Sequence, residues 1–185
     1  MKSVISVAAA CACAGIICGI ISLTGIGSKF SSLMLSVAGD NIFIALVMTM
    51  LASLILGCGL PTTAAYMVLA VLAVPALTKI GVPMLAAHLF VLYFGSISTI
   101  TPPVALSAYA GAALARANPN KVGFRAFRFG LIAFIIPFMF VYSSPLLMEG
   151  GALAIAQGVV TGCIGVLCIA ICVQGLSLIH ISEPT

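Results

Sequence analysis

Charge is what this sequence has least of. Three acids and seven Lys or Arg residues stand among 185, so 5% of the chain is charged while 63% is hydrophobic. A soluble domain carries about 25% charged residues. With a mean hydropathy of +1.36, the chain lacks the polar surface that a water-facing exterior needs. That excludes a soluble globular domain and leaves an all-α polytopic membrane protein embedded in the lipid bilayer. A membrane helix needs about 20 residues, so the length allows about six or seven crossings at most. The net charge of +4 comes from few cations, most of them in one segment. That pattern orients a membrane protein and does not point to nucleic acid.

Chemical machinery is also missing. There is no Ser/His/Asp set, no pair of carboxylates, no metal-ligand cluster and no phosphate-cradling loop, so an enzyme is not expected. No carbonyl filter or ring of charges suggests a simple channel. His88 and His180 are far apart in the chain. The seven cysteines are odd in number and form no Cys-x-x-Cys pair. Cys11, Cys13, Cys18, Cys163, Cys168 and Cys172 lie in apolar runs and read as small, soft packing residues, with metal or disulfide chemistry as the alternative.

What is present is a series of apolar runs. Residues 4–27 follow Met1-Lys2-Ser3 and are too long for a signal sequence, so they read as a first membrane helix, and its abrupt start suggests a piece of a longer chain. Within it Cys11, Gly15 and Gly19 share a face, and Gly15-x-x-x-Gly19 predicts close helix packing, with a pore-lining face as the alternative. Residues 28–41 read as a connection with room for a short interfacial helix, ending in an Asp40-Asn41 N-cap; Asp40 as a cation ligand is the alternative. Residues 42–56, 62–77, 84–97 and 104–115 are apolar arms of about 15 residues, short for a crossing. The segment 79–83 is a turn with Pro83 suited to a first helical turn. His88 reads as a buried histidine bonded to a neighbour, or as a group with a proton-linked role. Residues 116–128 hold Arg116, Lys121, Arg125 and Arg128 with no acid. They read as a cytoplasmic loop opened by an Asn118-Pro119-Asn120 turn, and a phosphate or lipid patch is the alternative. Residues 129–147 form a Phe-rich span kinked at Pro137. Residues 151–176 form the last span, with Gly158-x-x-x-Gly162 as a second packing face. The tail, 177–185, resembles translated adapter or vector sequence and is given no function.

Two interruptions stand out: Gly57-Cys58-Gly59-Leu60-Pro61-Thr62-Thr63 and Ser98-Thr99-Ile100-Thr101-Pro102-Pro103. Each sets helix breakers and small hydroxyl residues inside an apolar run. An unpaired backbone group in a bilayer costs several kcal/mol (about the penalty of burying it bare), so a broken helix is tolerated only where protein or a wet cavity satisfies it. Paired breaks of this kind mark transporters that bind cargo and coupling ion near the midplane. The carbonyl end of a break suits a desolvated cation such as sodium, and the N–H end suits a carboxylate. Gly57, Gly59, Pro61, Thr62, Thr63, Ser98, Thr99, Thr101, Pro102 and Pro103 are therefore the candidate ion and substrate residues. Neither break holds an acid, so a sodium site must use backbone and hydroxyl oxygens. Two kinks that merely shape packing are the alternative.

At these residues the chain resembles a known family. The run from Gly57 to Tyr66, Ala86-Ala87-His88-Leu89-Phe90 and Ile100-Thr101-Pro102-Pro103-Val104-Ala105-Leu106 resemble the large membrane subunit of tripartite ATP-independent periplasmic (TRAP) transporters, most of all the fused-permease type. Arg125-Ala126-Phe127-Arg128-Phe129-Gly130 and Pro137-Phe138-Met139-Phe140-Val141-Tyr142 fit the same pattern, and the resemblance runs from Val4 to about Glu149. It implies sodium symport of organic acids, C4-dicarboxylates among them, across the bacterial inner membrane. Sodium would be the coupling ion, with no other cofactor. The implied partners are a periplasmic substrate-binding protein and a small membrane subunit fused upstream. The implied fold is an elevator-type repeat with a re-entrant hairpin and a discontinuous helix. Residues 1–176 would be roughly the second inverted repeat of a longer chain, holding half of a two-repeat site. Cys58 departs from the family's usual apolar residue. A symporter that works without a binding protein, and a structural or assembly subunit with no transport site, are the other readings.

Overall fold

A computed structural model describes residues 2–39, 41–102 and 105–174, and no strand occurs among them. The helices are α1 (Lys2–Thr24), α2 (Ile26–Ala38), α3 (Ile42–Gly57), α4 (Thr62–Leu72), α5 (Val74–Lys79), α6 (Met84–Ile97), α7 (Leu106–Leu114), α8 (Pro119–Gly130), α9 (Ile136–Tyr142) and α10 (Ala152–Gln174). Single 3-10 turns follow α6 (Ser98–Ile100), α8 (Leu131–Phe134) and α9 (Ser144–Leu147). Asp40, Pro103, His180 and the tail 177–185 lie outside the described residues.

Length and hydropathy let three helical stretches cross a membrane: Thr62–Lys79, Pro119–Tyr142 and Ala152–Val173. The pair α1–α2 makes a fourth if counted as one span bent by 72°. That bend falls at Gly25, whose φ of 67° is left-handed and open to glycine without a Cβ penalty. The segment expected to be mainly a connection is therefore mostly helix α2. Its serines do not break it, because the hydroxyls of Ser28, Ser31, Ser32 and Ser36 donate to carbonyls three or four residues back.

Helix α6 is the centre. Phe90, Val91 and Phe94 are fully buried, packed with Leu46 of α3 and with Leu69 and Leu77 of α4 and α5. The Phe90 and Phe94 rings are 4.8 Å apart, and Phe138 of α9 meets Phe90 edge-on at 5.3 Å. Such aromatic pairs add about 0.5–1.5 kcal/mol beyond their burial. Helix α1 lies on α4 through Ala14 and Ile21 against Ala64, Val68 and Leu72. Gly15 and Gly19 have nothing within 4 Å of where a Cβ would stand. The packing face of α1 is thus the Ala14–Cys18–Ile21 stripe, not the expected glycine face. The second glycine pair behaves as expected: a Cβ on Gly158 would stand 3.1 Å from Pro145 Cβ, and one on Gly162 would stand 3.4 Å from Leu146 and Met139.

The basic segment is the other correction. Asn118 Oδ1 accepts from the amides of Asn120 at 3.1 Å and Lys121 at 3.4 Å, and Pro119 holds the first helical position. An Asn-Pro that reads as a turn is here an N-cap followed by a preset φ. The cations consequently stand mostly on helix α8, which runs on into the Phe-rich span in one helical stretch, Pro119–Tyr142. It is interrupted at the 3-10 turn Leu131–Phe134, and Pro137 falls in the first turn of α9.

Candidate functional site at the helix breaks

The first break begins where α3 ends at Gly57. Cys58 Sγ donates to the Leu54 carbonyl at 3.0 Å, and Gly59 turns the chain at φ 82°. Pro61 then leads into α4, whose N-terminus has no side-chain cap. Its first residues, Thr62 and Thr63, are exposed. The second break begins as α6 tightens into the 3-10 turn. Thr101 is extended, with φ −94° and ψ 127°. The chain re-enters helix at α7 through Ala105, a non-glycine residue at φ 31° and ψ 47°. Left-handed backbone at such a residue costs about 1–3 kcal/mol and persists only where surroundings enforce it. Ala105 is fully buried, and its amide donates to the Thr101 carbonyl at 3.2 Å.

The two breaks touch. A Cβ at Gly57 would stand 2.5 Å from Ser98 Oγ, 3.0 Å from Ser98 Cβ and 3.4 Å from the Gly95 carbonyl. From the other arm, Ala65 and Leu69 of α4 pack on Gly95, at 3.8 and 3.4 Å from where its Cβ would be. The last turn of α6 is therefore clasped by both arms of the first break.

The hydroxyls of the second break turn their protons inward. Ser98 donates to the Gly95 carbonyl at 2.7 Å, Thr99 to Ser96 at 2.8 Å and Thr101 to Ile97 at 2.8 Å. A hydroxyl that has given up its proton keeps two lone pairs as acceptors. Ser98 is buried, while Thr99, Thr101 and Pro102 are half-buried. Thr63 faces elsewhere: its Oγ1 lies 3.4 Å from Cys11 Sγ on α1. The structure thus joins Gly57 to Ser98 and leaves Thr63 on the α1 side.

Three features escaped the sequence reading. Gly95 sits in an ordinary apolar run, and only its three-residue spacing from Ser98 hints at a close contact. Thr49 and Ser53 precede Gly57 by two turns and one turn on the same face of α3. Both are fully buried, with no hydrogen-bond partner for either hydroxyl among the described residues. An unsatisfied buried hydroxyl costs about 1–3 kcal/mol, so a second stripe of acceptors leads up α3 to the junction at a stability cost. His88, below the junction, is joined to Tyr66 by a 3.0 Å hydrogen bond between Nδ1 and Oη, as a half-buried histidine with a neighbour should be.

Apolar spans around a buried meeting of two interrupted helices define a multi-pass membrane protein of the transporter class. The chain belongs to the family described as tripartite ATP-independent periplasmic transporter, DctM component, which matches residues 1–150. It is thus a membrane component of a TRAP transporter, a kind of transporter that in general pairs with a periplasmic binding protein and a small membrane subunit. Helix α10 lies beyond the matched residues. No curated protein and no solved structure matches the sequence.

Proposed function

We infer that the junction of the two breaks is half of the ion and substrate site of a sodium-driven permease for organic acids in the bacterial inner membrane. Its cargo would arrive on a periplasmic binding protein. The observation that carries this reading is the contact of Gly57 with Ser98, which sets the carbonyl ends of α3 and α6 side by side, while Ala65 of α4, one turn from that helix's start, packs on Gly95. The oxygens of Ser98, Thr99 and Thr101, their protons already committed to backbone carbonyls, are in the form that replaces the hydration shell of a bare cation. The uncapped start of α4 carries the partial positive charge that favours a carboxylate. Cation and anion would then bind at neighbouring ends and screen each other, which couples the sodium gradient to uptake. In this reading the chain forms the second of two inverted repeats, the small subunit is fused upstream in the parent, and the first repeat completes the site.

The test is transport by the parent permease in proteoliposomes with its binding protein, using a panel of labelled mono- and dicarboxylates. Uptake is expected with an inward sodium gradient and not with potassium, and Thr101→Ala should raise the sodium concentration needed for half-maximal uptake. The absence of sodium-dependent uptake for every carboxylate would overturn the function. Sodium-dependent uptake unchanged by Thr101→Ala would overturn the assignment of the site.

A further inference from the structure

Helix α8 carries a surface that the transport site does not use. Lys121, Arg125 and Arg128 recur at spacings of four and three, which places them on one stripe of the helix. Phe124 and Phe129 stand among them, 67% and 62% exposed. The opposite face is the packed one: Gly123 lies against Tyr109 of α7, Gly130 against Ile100, and the Phe127 ring meets Phe134 edge-on. No acid occurs in the sequence between Asn41 and Met148. Glu149 precedes α10 at the end opposite Val173, roughly 35 Å away along the helix.

The level of the stripe is set by one hydrogen bond. Arg128 Nε donates to the Val173 carbonyl at 3.1 Å, in the last described turn of α10 and next to the polar Gln174. Arg128 therefore stands at a hydrocarbon boundary. At 1.5 Å per residue, Arg125 lies about 5 Å and Lys121 about 10 Å further along α8. The headgroup layer is about 5–8 Å deep on each side of the core. Arg125 falls within it and Lys121 at its outer edge, with two phenylalanines beside them to enter the acyl boundary.

We propose that this stripe binds the phosphate of anionic phospholipid headgroups, anchoring α8 to one leaflet. Three donors at graded depth, spaced along one face and without a neutralising acid, complement a layer of phosphodiesters. The exposed rings add apolar attachment that a soluble acidic partner would not reward.

The chain has no tryptophan, so Phe124→Trp provides a single fluorophore on the stripe. The full chain with this substitution is reconstituted into phosphatidylcholine vesicles containing a minor, equal fraction of dibrominated phosphatidylglycerol or dibrominated phosphatidylcholine. Quenching by the anionic lipid is expected to be several-fold greater. Adding Lys121→Gln and Arg125→Gln should bring it down to the level of the neutral lipid, whereas Lys121→Arg and Arg125→Lys should preserve it. A reporter introduced by Leu153→Trp, on the exposed far end of α10, should show no preference and also verifies folding. Equal quenching of the Phe124→Trp variant by the two lipids overturns the proposal and leaves the stripe to a protein partner. A preference that survives the double glutamine variant overturns it as well. A preference abolished by inorganic phosphate, but not by chloride at equal ionic strength, would assign the stripe to free phosphate instead of lipid.

Discussion

Gly57 and Ser98 decide whether the two breaks can meet. Any side chain at Gly57 puts a Cβ against both Ser98 Oγ and Ser98 Cβ, and the hydroxyl cannot simply swing away without giving up its bond to the Gly95 carbonyl. Overpacking of this sort costs about 1–3 kcal/mol. Gly57→Ala is therefore expected to lower the melting temperature of the detergent-solubilised chain by several degrees. Adding Ser98→Gly should recover part of that loss, so the double-mutant cycle should show coupling between the two positions. An unchanged melting temperature in Gly57→Ala would mean that the breaks do not touch. The residues most legible in the sequence were those whose chemistry is local. Glycine and proline announce interruption wherever they stand, and Asn41 caps α3 through the amides of Phe43 and Ile44 much as its position suggests. Gly95, Thr49 and Ser53 were not legible, because their significance lies in what another helix places opposite them. A buried serine in a helix ordinarily bonds back to its own turn, as Ser31 does, and nothing in sequence distinguishes Ser53 from it.

Elements follow from how breakers and caps are read, and the same motif can succeed or fail. The arm predicted for 84–97 is α6, and the described residues of the last span predicted for 151–176 form α10. The residues of α2 were expected as a connection with room for a short helix, and those of α8 as a loop with an Asn-Pro-Asn turn. In each case the polar groups were absorbed into the helix itself, by back-bonding in α2 and by capping in α8. The two Gly-x-x-x-Gly pairs give a sharper contrast. Gly158 approaches Pro145, a rigid neighbour that cannot rotate away, whereas Gly15 and Gly19 face open space. Glycine in a helix interior is worse than alanine by about 0.5–1 kcal/mol. Gly15→Ala and Gly19→Ala are thus expected to raise the melting temperature of the purified chain, and Gly158→Ala to lower it. The opposite order, with Gly15 the sensitive position, would show that α1 has a close partner and that α10 does not rest on the 3-10 turn at Pro145.

At the scale of the molecule, the question is on which side each end of each span lies. The arms around the breaks, about 15 residues each, are short for a crossing, and the two stretches that follow are longer. Pro119–Tyr142 and Ala152–Val173 are each long and apolar enough to cross, and the bond from Arg128 to Val173 sets Arg128 level with the far end of the second stretch. That contact requires antiparallel spans, with the α9–α10 connection on the far side. The cations at 116–128 predict that the near side faces the cytoplasm, because short segments rich in Lys and Arg resist translocation. In a variant lacking the native cysteines, Gly151→Cys should react with a membrane-impermeant maleimide added to intact spheroplasts. Ala117→Cys should react only after the membrane is opened. Both sites are exposed, so accessibility to the reagent depends on the membrane and not on burial in the protein. Labelling of both from outside would make Pro119–Tyr142 a re-entrant segment. It would also place the Arg128–Val173 bond and the α8 stripe at the outer face.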